Sequence, residues 1–109
     1  MSSFGNRGTE QLLVTTSGSA TGIGHTPPGD ELTILASLVG TGAVTCTVVI
    51  EVTNDVSVTT SWLTMGTITL SGTTTAQDGF ATQTKWAAIR ARTSAISGTG
   101  ATLTVTMGY

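Results

Sequence analysis

The amino-acid sequence predicts an all-β protein, an antiparallel β-sandwich, and three observations carry that prediction. Apolar residues alternate with Thr over short runs, as in Val44-Thr-Cys-Thr-Val-Val-Ile50 and Ala101-Thr-Leu-Thr-Val-Thr-Met107. That period of two belongs to a strand with one face turned inward and a lawn of Thr turned out. No long stretch repeats apolar residues at three and four, and Gly, Thr and Val dominate, which favour turns and strands over helix. Turn-forming pieces fall in most of the gaps: Gly40-Thr-Gly42, Asn54-Asp55, Ser71-Gly72, Asp78-Gly79 and Ser97-Gly-Thr-Gly100. Each can supply a positive φ angle or an Asx turn.

Taken in order, the strands are expected at Gln11 to Thr16, Glu31 to Leu38, Ala43 to Thr53, Trp62 to Ser71, Gln77 to Thr84, Trp86 to Thr93 and Ala101 to Met107. Seven short strands with such punctuation indicate a sandwich or a barrel, and the alternation favours the sandwich. An immunoglobulin-type Cys, Trp, Cys framework is missing from the sequence, so a jelly-roll-like arrangement is preferred. The stretch from Ser17 to Asp30 differs, being small and polar and broken by Pro27 and Pro28, which keeps it out of a central strand. Together with Met1 to Glu10 it reads as an extended N-terminal arm over residues 1–30, ahead of a sandwich domain over 31–109. Leu12, Leu13 and Val14 are its only sizeable anchor. Such an arm buries too little apolar surface to offset its chain entropy and needs a neighbour to order it. Phe4, Arg7, Leu12, Leu13, Ile23 and His25 are therefore the candidate protein contacts.

Composition limits the function. The 109 residues fit one domain with a single core, and only 9% of them are charged, against about 25% in an ordinary soluble domain. A surface filled by Thr, Ser and Gly suits a protein packed against neighbours. The net charge of -2 and a pI near 5.0 supply no basic field, so nucleic acid is not an expected partner. Lys85, Arg90 and Arg92 fall close together near one strand but are too few for a groove. No segment approaches the ~18 apolar residues of a membrane span, and the first ten residues carry no apolar leader, so synthesis in a cytoplasm is expected and a membrane is not. Cys46 lies within an alternating run and is expected to be a buried core thiol.

Catalysis, a cofactor and a metal are all unexpected. No nucleophile with a base, carboxylate pair or close-spaced ligand set is recognisable. His25 is the one histidine, in a Gly-His-Thr-Pro-Pro context without a nearby Cys or Glu, and is expected to be a solvated loop residue rather than a zinc ligand. Asn54-Asp55 and Asp78-Gly79 lack the spacing of a calcium loop. Gly22-Ile-Gly24 and Gly98-Thr-Gly100 lack the strand and helix of a phosphate loop. Trp62 and Trp86 each open a strand and are candidate core or interface aromatics, with a sugar-stacking platform as the alternative. Trp86, Ala88, Arg90 and Arg92 share one strand parity, which can bring a guanidinium near an indole face.

Two segments carry a resemblance. Glu51-Val-Thr-Asn-Asp55 followed by Trp62-Leu-Thr-Met-Gly-Thr-Ile-Thr-Leu-Ser-Gly72, and Trp86-Ala-Ala-Ile-Arg-Ala-Arg92 followed by Ser97-Gly-Thr-Gly-Ala-Thr-Leu-Thr-Val-Thr-Met-Gly-Tyr109, resemble small β-sandwich virion proteins of tailed bacteriophages. The likeness covers roughly the last 60 residues, and Val52-Thr53 departs from it where Ser is usual before Asn-Asp. It implies a non-enzymatic virion subunit of the capsid decoration type, also called cement or staple. Such proteins sit on the capsid surface as dimers or trimers and clamp adjacent major capsid proteins. The same sandwich is reused in tail adaptors and tail fibres, and a carbohydrate-binding module is a further alternative.

Overall fold

The computed structural model describes residues 8–27, 31–54, 62–83 and 86–109. Seven strands follow in chain order: β1 (Thr9–Thr15), β2 (Glu31–Val39), β3 (Val44–Thr53), β4 (Leu63–Gly72), β5 (Thr75–Gln83), β6 (Ala88–Ser97) and β7 (Thr102–Gly108). Each overlaps a strand expected from the sequence, and no helix occurs among the described residues. They form two antiparallel sheets. Sheet A has the order β1-β7-β2-β5 and sheet B the order β4-β3-β6.

The sheets face one another over a single core, built in the central strands from one parity of each strand. Sheet A contributes Leu32, Ile34, Ala36 and Leu38 from β2 and Leu103, Val105 and Met107 from β7. Sheet B contributes Val44, Cys46, Val48, Ile50 and Val52 from β3, Ile68 and Leu70 from β4, and Ile89 and Ala91 from β6. Registers such as Ala36↔Val105 and Val48↔Ile68 place inward residues opposite inward residues, so the β-branched and Leu side chains fill one continuous layer. Cys46 is buried in that layer as a free thiol. Burial raises its pKa, because the thiolate loses water without gaining a partner.

Two parts of the sequence reading are corrected. Asp78-Gly79 is no turn: it lies inside β5, paired with Ala36 and Leu35 of β2. The reversal from β4 to β5 falls at Thr73-Thr74, directly after the expected Ser71-Gly72, which closes β4. Asp78 Oδ1 accepts the N–H of the next residue, Gly79, at 2.8 Å within the strand, and not the N–H two residues on that an Asx turn uses. The turn at Ser97 to Gly100 forms as expected, with Gly98 at φ 121° and Gly100 at φ 67°, conformations open to glycine.

The second correction concerns the arm. Its described part, residues 8–27, is built into the sandwich, while Phe4 and Arg7 lie outside the described residues. β1 pairs with β7 along its length and forms one edge of sheet A. A bulge between Gln11 and Leu13 turns both Leu12 and Leu13 inward, leaving them 3% and 9% exposed. These two leucines are therefore spent on the core and are not surface contacts. After β1 the chain crosses to sheet B and runs beside β6, bridging Thr21 to Arg92 and His25 to Ile89. Small residues make this possible. At Gly22 the backbone passes so close to the Leu12 carbonyl that a Cβ would collide with it.

Candidate functional site

The crossing segment is held by a buried hydroxyl and a short run of backbone pairs. Thr93, 1% exposed, accepts the Ala20 N–H at 2.9 Å and donates to the Ser17 carbonyl at 2.9 Å. Thr93 N–H donates to Ala20 O, Gly22 N–H to Ala91 O, and His25 and Ile89 exchange both backbone bonds at 2.8 Å. His25 is not the solvated histidine expected. Its Nδ1 lies 2.8 Å from Glu10 Oε1, with the imidazole 16% exposed. This contact ties β1 of sheet A to the strip alongside sheet B. Ile23, between these anchors, is 74% exposed and is, among the described residues, the one candidate arm contact that points to solvent.

The two broad outer faces differ in chemistry. Outward residues of sheet A are Thr9, Gln11 and Val14 on β1, the even-numbered Thr102 to Gly108 on β7, Glu31 to Val39 at odd positions on β2, and Thr75 to Gln83 at odd positions on β5. Apart from Glu31 at the first residue of β2, none of them is charged. Val14, Leu35 and Val39 stand 49%, 45% and 48% exposed on this face.

Sheet B carries the concentrated charge. Glu51 on β3 is paired with Arg90 on β6, and Arg92 follows two residues on, opposite Val49. Their neighbours Ile89 and Ala91 are fully buried, so the arginines project from the outer face. Arg90 Nε lies 2.9 Å from Glu51 Oε1 and Arg92 Nε 3.4 Å from Oε2, the carboxylate being 11% exposed. One buried carboxylate thus holds two guanidiniums by their Nε edges. Arg90 is also stacked, its Cζ lying 4.1 Å from the centroid of Trp62. Such a contact contributes about 0.5–1 kcal/mol where water has access and more when it is excluded.

The stacking partner is therefore Trp62, at the start of β4, rather than Trp86. Trp86 precedes β6 and packs, partly buried, against the core. Trp62 also lies against Gly24 of the crossing segment, within 3.0 Å of where a Cβ would stand. Arg90, Trp62 and the strip are one packed unit. Pairing of Glu51 with Arg90 depends on the β3 to β6 register, which is non-local and absent from any motif. The available signal was the shared parity of Arg90 and Arg92. Among the described residues no group of three or more His, Cys, Asp or Glu side chains converges to hold a metal ion. Comparison with family models, with curated proteins and with solved structures brings no match to this chain.

Proposed function

We propose that the chain is a non-enzymatic structural subunit of a virion, a decoration protein that docks on neighbouring major capsid proteins at the surface of a tailed-phage head. The uncharged outer face of sheet A is the observation that carries this reading. Strands spaced about 4.8 Å apart and about 24–31 Å long give four strands a face of roughly 530 Å². That is the larger part of the about 800 Å² that one partner buries in a standard interface. A face of this size with Val14, Leu35 and Val39 half exposed and no charge except at Glu31 loses little on dehydration.

The strand order supports a jelly roll. Counting the strip from Thr21 to His25 as a strand beside β6 gives eight elements in two layers of four, ordered 1-8-3-6 and 2-7-4-5. Such a double Greek key is the architecture of many capsid domains. Homo-oligomers, dimers or trimers, fit the same role, with the gripping surface moved from a free arm to the sheet faces. The test is addition of the purified chain to isolated phage heads. Leu35→Glu places a charge at the centre of the sheet A face and is expected to abolish addition while leaving the thermal unfolding curve in place. Undiminished addition by a folded Leu35→Glu variant would remove this face from the proposal.

A further inference from the structure

We propose that Arg90 and Arg92, held side by side by Glu51, form a receiving site for a carboxylate, the acidic side chain of a docked protein neighbour. That the neighbour is a protein rests on the assembly reading; the preference for a carboxylate rests on the geometry of the site itself.

Among the described residues these two are the only Lys or Arg side chains, so the fixed positive charge of the described surface is gathered at one point. Glu51 engages each guanidinium through Nε, at 2.9 and 3.4 Å. The Nη groups of both have no hydrogen-bond partner among the described residues, and they are the fork-shaped edges that bind carboxylates in bidentate fashion. The arginine side chains are 21% and 36% exposed, accessible yet partly dehydrated, which strengthens a charge-assisted hydrogen bond. Arg90 is further fixed by the Trp62 ring. Both side chains have thus lost rotamer freedom before a ligand arrives, so less is lost on binding.

Charge selects the ligand class. Among the described residues, two guanidiniums over one carboxylate leave an excess of one positive charge, which a single carboxylate neutralises and a phosphate dianion overfills. Beside the arginines the outward Val49 and Thr53 of β3 are buried, and the open part of the face lies beyond them, where Thr45, Thr47, Thr67, Thr69 and Ser71 stand on the outward parity of β3 and β4. A partner seated there meets one cationic point in a neutral field, an arrangement that sets register more than raw affinity.

The test uses the purified, isotope-labelled chain and three probes: a capped Gly-Glu-Gly peptide, its Gly-Gln-Gly counterpart and inorganic phosphate. The guanidinium Nε–Hε signals of Arg90 and Arg92 and the indole N–H of Trp62 are followed by NMR. A saturable shift of these signals with the glutamate peptide, at least tenfold weaker with the glutamine peptide and with phosphate, is the expected result. Arg92→Gln is expected to weaken the response at least tenfold. Arg92→Lys keeps the charge without the fork and is expected to fall between, which keeps the test open if Arg92→Gln unfolds. No saturable shift, an equal response to glutamine, or tighter binding of phosphate would overturn the proposal. Because the experiment needs no particle, its failure is separate from that of the assembly reading.

Discussion

Replacing Thr93 by Val isolates the contact that holds the crossing segment against β6. The two side chains are nearly the same volume, so packing of this buried position, 1% exposed, changes little and the hydroxyl is what is lost. That hydroxyl accepts from Ala20 N at 2.9 Å and donates to Ser17 O at 2.9 Å, with Ala20 O a longer alternative at 3.3 Å. The Ser17 carbonyl can turn to water, whereas the Ala20 N–H is left without its acceptor in a partly buried place. Stranding such a donor costs about 1–3 kcal/mol. For a domain near 100 residues each kcal/mol lowers the melting temperature by about 4–8 °C. Thermal unfolding followed by circular dichroism reads the total. Native-state hydrogen exchange reads the place, because the Gly22 and His25 amides donate to Ala91 and Ile89 across the same seam. Those two amides are expected to exchange faster by more than the global loss explains, while amides of the central strand β3 follow global unfolding. A Thr93→Val protein within about 0.5 kcal/mol of the parent, an ordinary value for a surface substitution, with unchanged exchange at Gly22 and His25, would refute the docked strip.

Other perturbations test separate parts of the account. Leu12→Ala, at a position 3% exposed in the bulge of β1, is expected to cost about 2–5 kcal/mol in denaturant unfolding, as a core truncation does and a free arm would not. Gly98→Ala meets both a φ of 121° and the Ala43 carbonyl oxygen 2.6 Å from the new Cβ, and a loss above about 1 kcal/mol is expected. Gly42→Ala, where a Cβ meets nothing within 4 Å, serves as its control and is expected to stay within about 1 kcal/mol of the parent. Cys46 makes a pH prediction. Its pKa is raised by burial above the ordinary 9.0, so the folded protein holds the thiol proton more tightly than the unfolded chain does. The stability contributed is full below the unfolded thiol's value and is lost as pH rises through that value towards the folded one. Unfolding free energies measured across that window should fall in the parent protein, and less so in Cys46→Ala.

How far the fold was legible follows from the range of the forces involved. The strands with the strongest alternation, β3 and β7 above all, were readable because a period of two is written residue by residue. Val44 to Val52 and Leu103 to Met107 keep their apolar parity through to the observed core. Asp78-Gly79 misled because the dipeptide is typical of turns, whereas here both residues pair with β2 inside an edge strand. At the edge of sheet A, Asp78 keeps its carboxylate exposed although it sits opposite the buried Ala36, a charge that discourages a further strand from pairing there. Composition also misled for residues 17–27. Gly and Ser there read as entropy, yet small residues are what allow the chain to press against β6, and the Thr93 hydroxyl that holds it lies more than 70 residues away in sequence. The same holds for the charged site. Parity placed Arg90 and Arg92 together, but the partners Glu51 and Trp62 come from β3 and the start of β4, brought in by sheet register.

The central claim, a structural subunit on a phage head, is tested most directly by counting the chain in purified particles. Quantitative mass spectrometry, with immunogold labelling to locate it, is expected to find the chain on heads in copy numbers comparable to the shell subunit, as closed symmetric assemblies require. Absence from the particles, or a few copies confined to the tail, would contradict it.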